Sequence, residues 1–266
     1  MTSIAGSHVL VTGAASGLGR RMALGIARRQ GTLSLWDVNQ EALERVLEEV
    51  RGLGARAEAF VVDVSNREAV YDAARRVEHA VDILVNNAGV VSGRPLLELP
   101  DENIERSFAV NVLALFWTTK AFLPGMIERG RGHVVTIASA GGLIGVPKLS
   151  DYSASKFAAV GFDESLRVEL RRTAPGVRTT VVCPFFVATG MFAGVKTRFS
   201  FLLPILDEEK VSERILAAIE SNQKRLLMPW MVKTIAPLRL LPVSWFDGIA
   251  RFMGIDASMD DFVGRR

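Results

Sequence analysis

Thr12-Gly13-Ala14-Ala15-Ser16-Gly17-Leu18-Gly19 is the stretch on which the fold turns. An apolar run, His8 to Val11, precedes it and reads as a β-strand; a helical pattern follows it. Glycines permit a tight turn and let a backbone approach an anion closely. The N-terminus of the next helix then aims unsatisfied N–H groups and its positive dipole end at that anion. A glycine pattern alone carries little, but strand before and helix after are the context a pyrophosphate-binding turn requires. The alternative is a purely structural turn.

Outward from the turn, short apolar runs alternate with amphipathic segments. Thr32 to Trp36, Ala59 to Val62, Val81 to Val85, His133 to Ile137 and Thr179 to Val182 read as further strands, with a short last one at Arg225 to Met228. Most are continuously apolar, as strands covered on both faces are. Leu43, Val46, Leu47 and Val50 have helical spacing, and Asn39 is placed to cap their helix. Strands alternating with helices predict right-handed βαβ units and a parallel, doubly wound α/β sheet. No repeat or linker divides the chain, so residues 1–266 read as one domain with a C-terminal extension from about Pro229.

Composition excludes several classes of function. A net charge of +3 on 266 residues, with no run of five basic residues, does not point to nucleic acid. The single cysteine, Cys183, cannot form an intrachain disulfide and sits in an apolar strand, as a small core residue would. His8, His79 and His133 have no metal-ligand spacing, so no metal is expected. The first apolar run begins directly after Gly6, so no signal peptide or N-terminal anchor is expected, and no run of 18 apolar residues occurs. The expected setting is cytoplasmic.

The second strand ends at Asp37, about twenty residues after the glycine turn. A carboxylate there accepts hydrogen bonds from both ribose hydroxyls of a dinucleotide and repels a 2′-phosphate. No Arg or Lys follows directly, so NAD is expected over NADP; a helix-capping or loop carboxylate is the alternative. Tyr152 and Lys156 stand four apart on a predicted helix and share a face. A nearby ammonium and an oxidised nicotinamide both favour phenolate, which moves a phenol toward the range where it can take an alcohol proton. Ser139, at the end of the fifth strand, offers a hydroxyl to the same substrate oxygen.

With these residues together, the sequence resembles the short-chain dehydrogenase/reductase family over about residues 8–230. The likeness includes the 12–19 turn, Asp63-Val64, Asn86-Asn87-Ala88-Gly89, Asn111, Ser139, Tyr152 and Lys156. The resemblance implies a Rossmann-like sheet of about seven strands in three α/β/α layers. It implies an enzyme that interconverts an alcohol and a carbonyl with NAD. Gly13, Ser16, Gly17, Leu18 and Gly19 would cradle the cofactor, and Asp63, beside Val64, would bond the adenine amino group. Asn87, Ala88 and Gly89 would border it, as would Pro184, Val187 and Thr189, the last at the nicotinamide carboxamide. Lys156 would hold ribose hydroxyls and Asn111 a proton-relay water. The family implies a homodimer or homotetramer. Where it commonly has Pro-Gly, Pro184 is followed by Phe185 and Phe186, one expected in the core and one on the pocket wall.

The segments expected to face substrate are apolar: Gly141 to Val146, Met191 to Val195, and Phe199 to Leu206 as a lid. A hydrophobic small-molecule substrate gains from such walls. The Pro184 to Phe192 stretch and Leu35-Trp36-Asp37-Val38 are similar to the subgroup containing retinol dehydrogenase 10 and the lipid-droplet 17β-hydroxysteroid dehydrogenases, whose members act on lipid alcohols. An enzyme of small polar alcohols and a non-catalytic NAD-binding scaffold are the alternatives. The apolar tail, with basic Lys233, Arg239 and Arg251 and short helices broken at Pro237 and Pro242, predicts peripheral membrane contact, subunit packing or a substrate lid.

Overall fold

A computed structural model describes residues 1–264. Seven parallel strands run β1 His8–Thr12, β2 Thr32–Asp37, β3 Ala57–Val61, β4 Ile83–Asn86, β5 Gly132–Ile137, β6 Val177–Pro184 and β7 Arg225–Met228. Their spatial order is β3-β2-β1-β4-β5-β6-β7. The order reverses between β1 and β4, and the crevice at the C-terminal ends of those two strands is where such sheets bind ligands.

The helices are α1 Gly17–Arg28, α2 Gln40–Gly52, α3 Arg67–Arg76, α4 Asp101–Phe108, α5 Ala114–Glu128, α6 Ser150–Thr173, α7 Glu208–Glu220, α8 Ile235–Leu238 and α9 Val243–Phe252. Met22 and Ile26 of α1, Leu43 and Val46 of α2, and Ile215 and Ile219 of α7 bury against one face of the sheet. Val70 of α3, Met126 of α5, and Leu166 and Leu170 of α6 cover the other. Three layers result, because the central strands are buried on both sides. Asn39 caps α2 as its sequence position predicts, its side chain accepting from the Ala42 N–H at 3.0 Å.

Some strand limits differ from the sequence expectation. Strand β3 starts at Ala57 rather than Ala59, where Leu33 of β2 begins the pairing register. Strand β4 starts at Ile83 rather than Val81, because the Val81 carbonyl accepts from the Arg129 guanidinium at 2.7 Å. Strand β6 extends through Pro184, carrying the chain to the crevice. Helices α4 and α5 join through a π-helical turn, Ala109–Leu113, as one run from Asp101 to Glu128. That run is long and apolar enough to cross a membrane by length and composition. In this fold it buries Val110, Ala114 and Met126 in the core beneath the sheet.

Candidate active site

The crevice opens into a cavity of about 680 Å³. One end is built by the glycine turn. Gly13 adopts φ +65°, and a Cβ on Gly19 would lie 2.0 Å from the Gly13 carbonyl oxygen. The turn is stitched to the residues after β4. Thr12 Oγ1 accepts from the backbone N–H groups of Asn87 and Ala88 at 3.0 and 3.1 Å, and Asn87 Nδ2 donates to the Thr12 and Gly13 carbonyls. Gly13, Ser16, Gly17 and Leu18 line the cavity.

Asp37, Asp63 and Val64 line the cavity beside Val38, and Asn87, Ala88 and Gly89 border it. Asp37 Oδ2 accepts from the Ala15 N–H at 2.9 Å and Oδ1 from the Asn39 N–H at 3.0 Å, so this carboxylate also braces the turn. Asp63 Oδ1 accepts from the Ser65 hydroxyl and N–H. A dinucleotide fits these residues: the cradle has no room for a side chain at Gly19, a helix N-terminus opens onto it, and acceptor carboxylates follow β2 and β3.

At the other end Ser139, Tyr152, Lys156, Pro184, Val187 and Thr189 line the same cavity. Tyr152 and Lys156 are successive turns on one face of α6 and are 5% exposed each. Lys156 Nζ donates to the Ile137 carbonyl at 2.9 Å and lies 5.7 Å from the centre of the Tyr152 ring. Ser139 Oγ accepts from the Gly141 N–H at 3.0 Å.

The sequence predicts a phenol lowered jointly by the neighbouring ammonium and a bound oxidised nicotinamide. The protein's own groups act against that shift. Burial pushes Tyr152 up to about 12, with the Ser139 hydroxyl pulling the other way. The same burial pulls Lys156 down to about 8, which weakens the charge that was to act on the phenol. Desolvation is the largest cause of both shifts, because both groups are enclosed. Burial also pushes the Cys183 thiol up to about 12, as befits a core residue.

Asn111 does not line the cavity. It lies in the π-helical turn, 1% exposed, where its Nδ2 donates to the Val90 carbonyl and to Ser155 Oγ at 3.0 Å. Its Oδ1 accepts from the Val90 N–H at 2.9 Å. Asp151, which sequence reasoning did not single out, performs a parallel task. Its Oδ2 accepts from Ser92 Oγ at 2.9 Å and Ser107 Oγ at 2.6 Å, so it ties the start of α6 to the loop after β4 and to α4. A carboxylate in the first turn of a helix is the available sequence signal.

Phe185 and Phe186 both line the cavity, with ring centres 4.6 Å apart. Phe186 is also part of the buried core, whereas Phe185 is only partly buried, in line with the expectation of one in the core and one on the wall. Phe192 joins them, edge-on to Tyr152 at 5.6 Å and to Phe186 at 5.1 Å. Gly141, Ile144, Val146, Leu149 and Met191 complete an apolar wall. Of the two stretches after β6 expected to hold a lid, the first brings Met191 and Phe192 to the cavity, while Phe199 to Leu206 does not border it; Phe199 stacks on Phe252 of α9 at 5.5 Å instead. Ile255, beyond α9, lines the cavity in its place. Glu102, Glu105 and Arg106 of α4 also border it and are polar residues that no sequence motif marks.

Further along α6, Asp163 is 1% exposed, and burial pushes its carboxyl up to about 7 against the pull of Thr179, Arg167 and Arg225. Between about pH 4 and pH 7 the folded protein therefore keeps a proton that the unfolded chain has released. Stability from this group falls as pH rises through that window and stays reduced above it. Asp163→Asn is expected to melt higher than the parent by roughly 3 °C or more at pH 8, the gap closing toward pH 4. Melting curves across pH check this; a gap that does not depend on pH would contradict it.

A family model described as short chain dehydrogenase matches residues 7–198. The chain is 47% identical over 270 residues to epidermal retinol dehydrogenase 2 of Mus musculus, covering 99% of this chain and 87% of that protein. It is 44% identical over 269 residues to estradiol 17-beta-dehydrogenase 11 of Pongo abelii, covering 99% and 88%. Among solved structures, a short chain dehydrogenase/reductase from Burkholderia phymatum in complex with NAD superposes with a TM-score of 0.81 at 30% identity, covering 90% of this chain and 95% of that one.

Proposed function

The chain belongs to the short chain dehydrogenase family, and from that membership we propose that it interconverts a lipophilic alcohol and its carbonyl with Tyr152 as the proton-transfer residue. One observation carries the proposal. Tyr152, Ser139 and Lys156 line the same cavity as the glycine turn and Asp37, so the proton-transfer groups and the dinucleotide cradle share one space.

When bound, the oxidised nicotinamide supplies the hydride acceptor. The protein does the rest. Ser139 and Tyr152 hold the alcohol oxygen; Tyr152 as phenolate, the form that the Lys156 ammonium and a bound oxidised nicotinamide favour, takes the alcohol proton and becomes phenol, and as phenol it donates that proton in the carbonyl direction. Lys156, anchored on Ile137, keeps a cation beside the phenol. Asn111 and Asp151 hold the start of α6, the π-helical turn and the loop after β4 in register, so that Tyr152 meets the cavity at one angle. Asp37 favours NAD over NADP by its negative charge.

The apolar wall of Phe185, Phe186, Phe192, Ile144 and Val146 supports a retinoid, steroid or other lipid alcohol. So do the printed names of the relatives, a retinol dehydrogenase and an estradiol dehydrogenase. NADH formation across retinol, steroid and long-chain alcohols tests the reading. Turnover confined to small polar alcohols contradicts the substrate class, and equal efficiency with NADP contradicts the cofactor preference.

We further propose that the whole chain forms one catalytic unit and that its C-terminal part touches a membrane interface. Val243, Trp245, Ile249 and Phe252 of α9 are exposed, with Arg251 beside them and Arg239 and Leu240 just before the helix. Apolar side chains flanked by cations support binding to anionic headgroups. The protein is expected to co-sediment with phosphatidylserine vesicles at low salt and to release at high salt; no binding at low salt removes this part. Exposed Leu113, Phe116 and Phe157 support a homodimer or homotetramer, which light scattering reads.

A further inference from the structure

The C-terminal segment 255–263 has no helix of its own, yet it is bound tightly. Ser258 and Met259 are 3% and 1% exposed, and Met259 packs with Leu149, Tyr152, Phe186 and Val195. Two walls of the cavity hold it. On the side after β6, the Lys196 N–H donates to the Ser258 carbonyl, the Val263 N–H donates to the Ala193 carbonyl at 2.9 Å, and Lys196 pairs with Asp261 at 2.8 Å. On the side before α6, Lys148 Nζ pairs with Asp260 at 3.0 Å and also donates to the Met259 carbonyl. The segment therefore bridges the gap between the Lys148–Leu149 loop and the Met191–Lys196 loop.

Two glycines seat this bridge, Gly194 in the loop after β6 and Gly93 in the loop after β4. Gly194, at φ +90°, leaves no room for a Cβ, which would lie 1.9 Å from the Asp261 carbonyl oxygen. Gly93, at φ +68°, lies under the Phe262 ring, 2.0 Å from where its own Cβ would stand. Both backbones adopt the left-handed region that glycine tolerates, at two of the points where the bridge touches down. Ile255 begins the bridge and is its one residue on the cavity lining.

We propose that this bridge is the substrate-sizing wall of the site and that Ile255 is its specificity-determining residue, setting the bulk of the lipophilic alcohol that reaches Tyr152. The inference rests on the alcohol-oxidising function proposed above. An aliphatic side chain at a cavity wall discriminates by volume: each methylene it yields or denies a ligand is worth on the order of tenfold in kcat/KM. The ion pairs at Lys148 and Lys196 hold that wall in place, so its position depends on the bridge rather than on the loop after β6 alone.

The test measures kcat/KM for retinol relative to cyclohexanol in the full chain. Ile255→Trp is expected to lower that ratio at least tenfold and Ile255→Ala to raise it. Gly194→Ala, which lifts the bridge without touching the cavity lining, is expected to change the ratio in the same direction as Ile255→Ala. Binding of retinol, read by its own fluorescence with NADH present, should follow the same order. A ratio that stays within twofold across the three variants while both substrates are turned over overturns the sizing role and leaves the alcohol chemistry standing. Absence of turnover in the parent overturns the alcohol chemistry instead; the retinol-binding order then decides the wall by itself, and equal binding by all variants overturns it too.

Discussion

Tyr152→Phe is expected to lower kcat by about 10³-fold while the dissociation constant for NADH changes less than about twofold. The substitution removes one oxygen and keeps the ring. The ring packs edge-on against Phe192, so the apolar wall is retained. Lys156 is anchored on the Ile137 carbonyl, not on the phenol, so its place survives as well. What disappears is the group that takes the alcohol proton. Stopped-flow NADH binding and steady-state turnover separate the two effects. Retention of a tenth or more of parental kcat would remove Tyr152 from proton transfer, and a large loss of NADH affinity would reassign it to binding.

Gly19→Ala is expected to weaken NADH binding by about 10²-fold or more, equivalent to roughly 3 kcal/mol. The added Cβ would meet the Gly13 carbonyl oxygen at 2.0 Å and Asn87 Nδ2 at 2.7 Å. The first is backbone and cannot swing aside. The second is the amide that stitches the turn to the residues after β4. Relief therefore means opening the turn, which displaces the N–H groups aimed at the pyrophosphate. Isothermal titration with NADH measures the loss, and circular dichroism tells a reshaped turn from an unfolded chain. Parental affinity in a folded variant would mean that the cradle is not where the dinucleotide binds.

The two variants probe opposite ends of one cavity, and their outcomes differ in kind. The phenol acts on a reacting bond, so its loss is read in kcat. The glycine acts on binding, so its loss is read in affinity. The Asn111 and Asp151 clamps lie between these extremes. Neither lines the cavity, yet both fix the helix that carries Tyr152.

Sequence alone determined what local pattern can encode. Continuous apolar runs marked strands buried on both faces, and their alternation with helical segments marked the parallel sheet. Spacing of four put Tyr152 and Lys156 on one helical face, and the glycines with Asp37 marked the dinucleotide end, because these relations are set by residues near one another along the chain. Only the tertiary structure decided which distant segments meet. Ile255 reaches the cavity of Tyr152 from more than a hundred residues away, and Asp151 finds Ser92 and Ser107 in two other segments. It also decided that the protein's own groups push the phenol up. Burial is a property of everything packed around a group, so no spacing of two residues foretells whether desolvation or a neighbouring charge prevails.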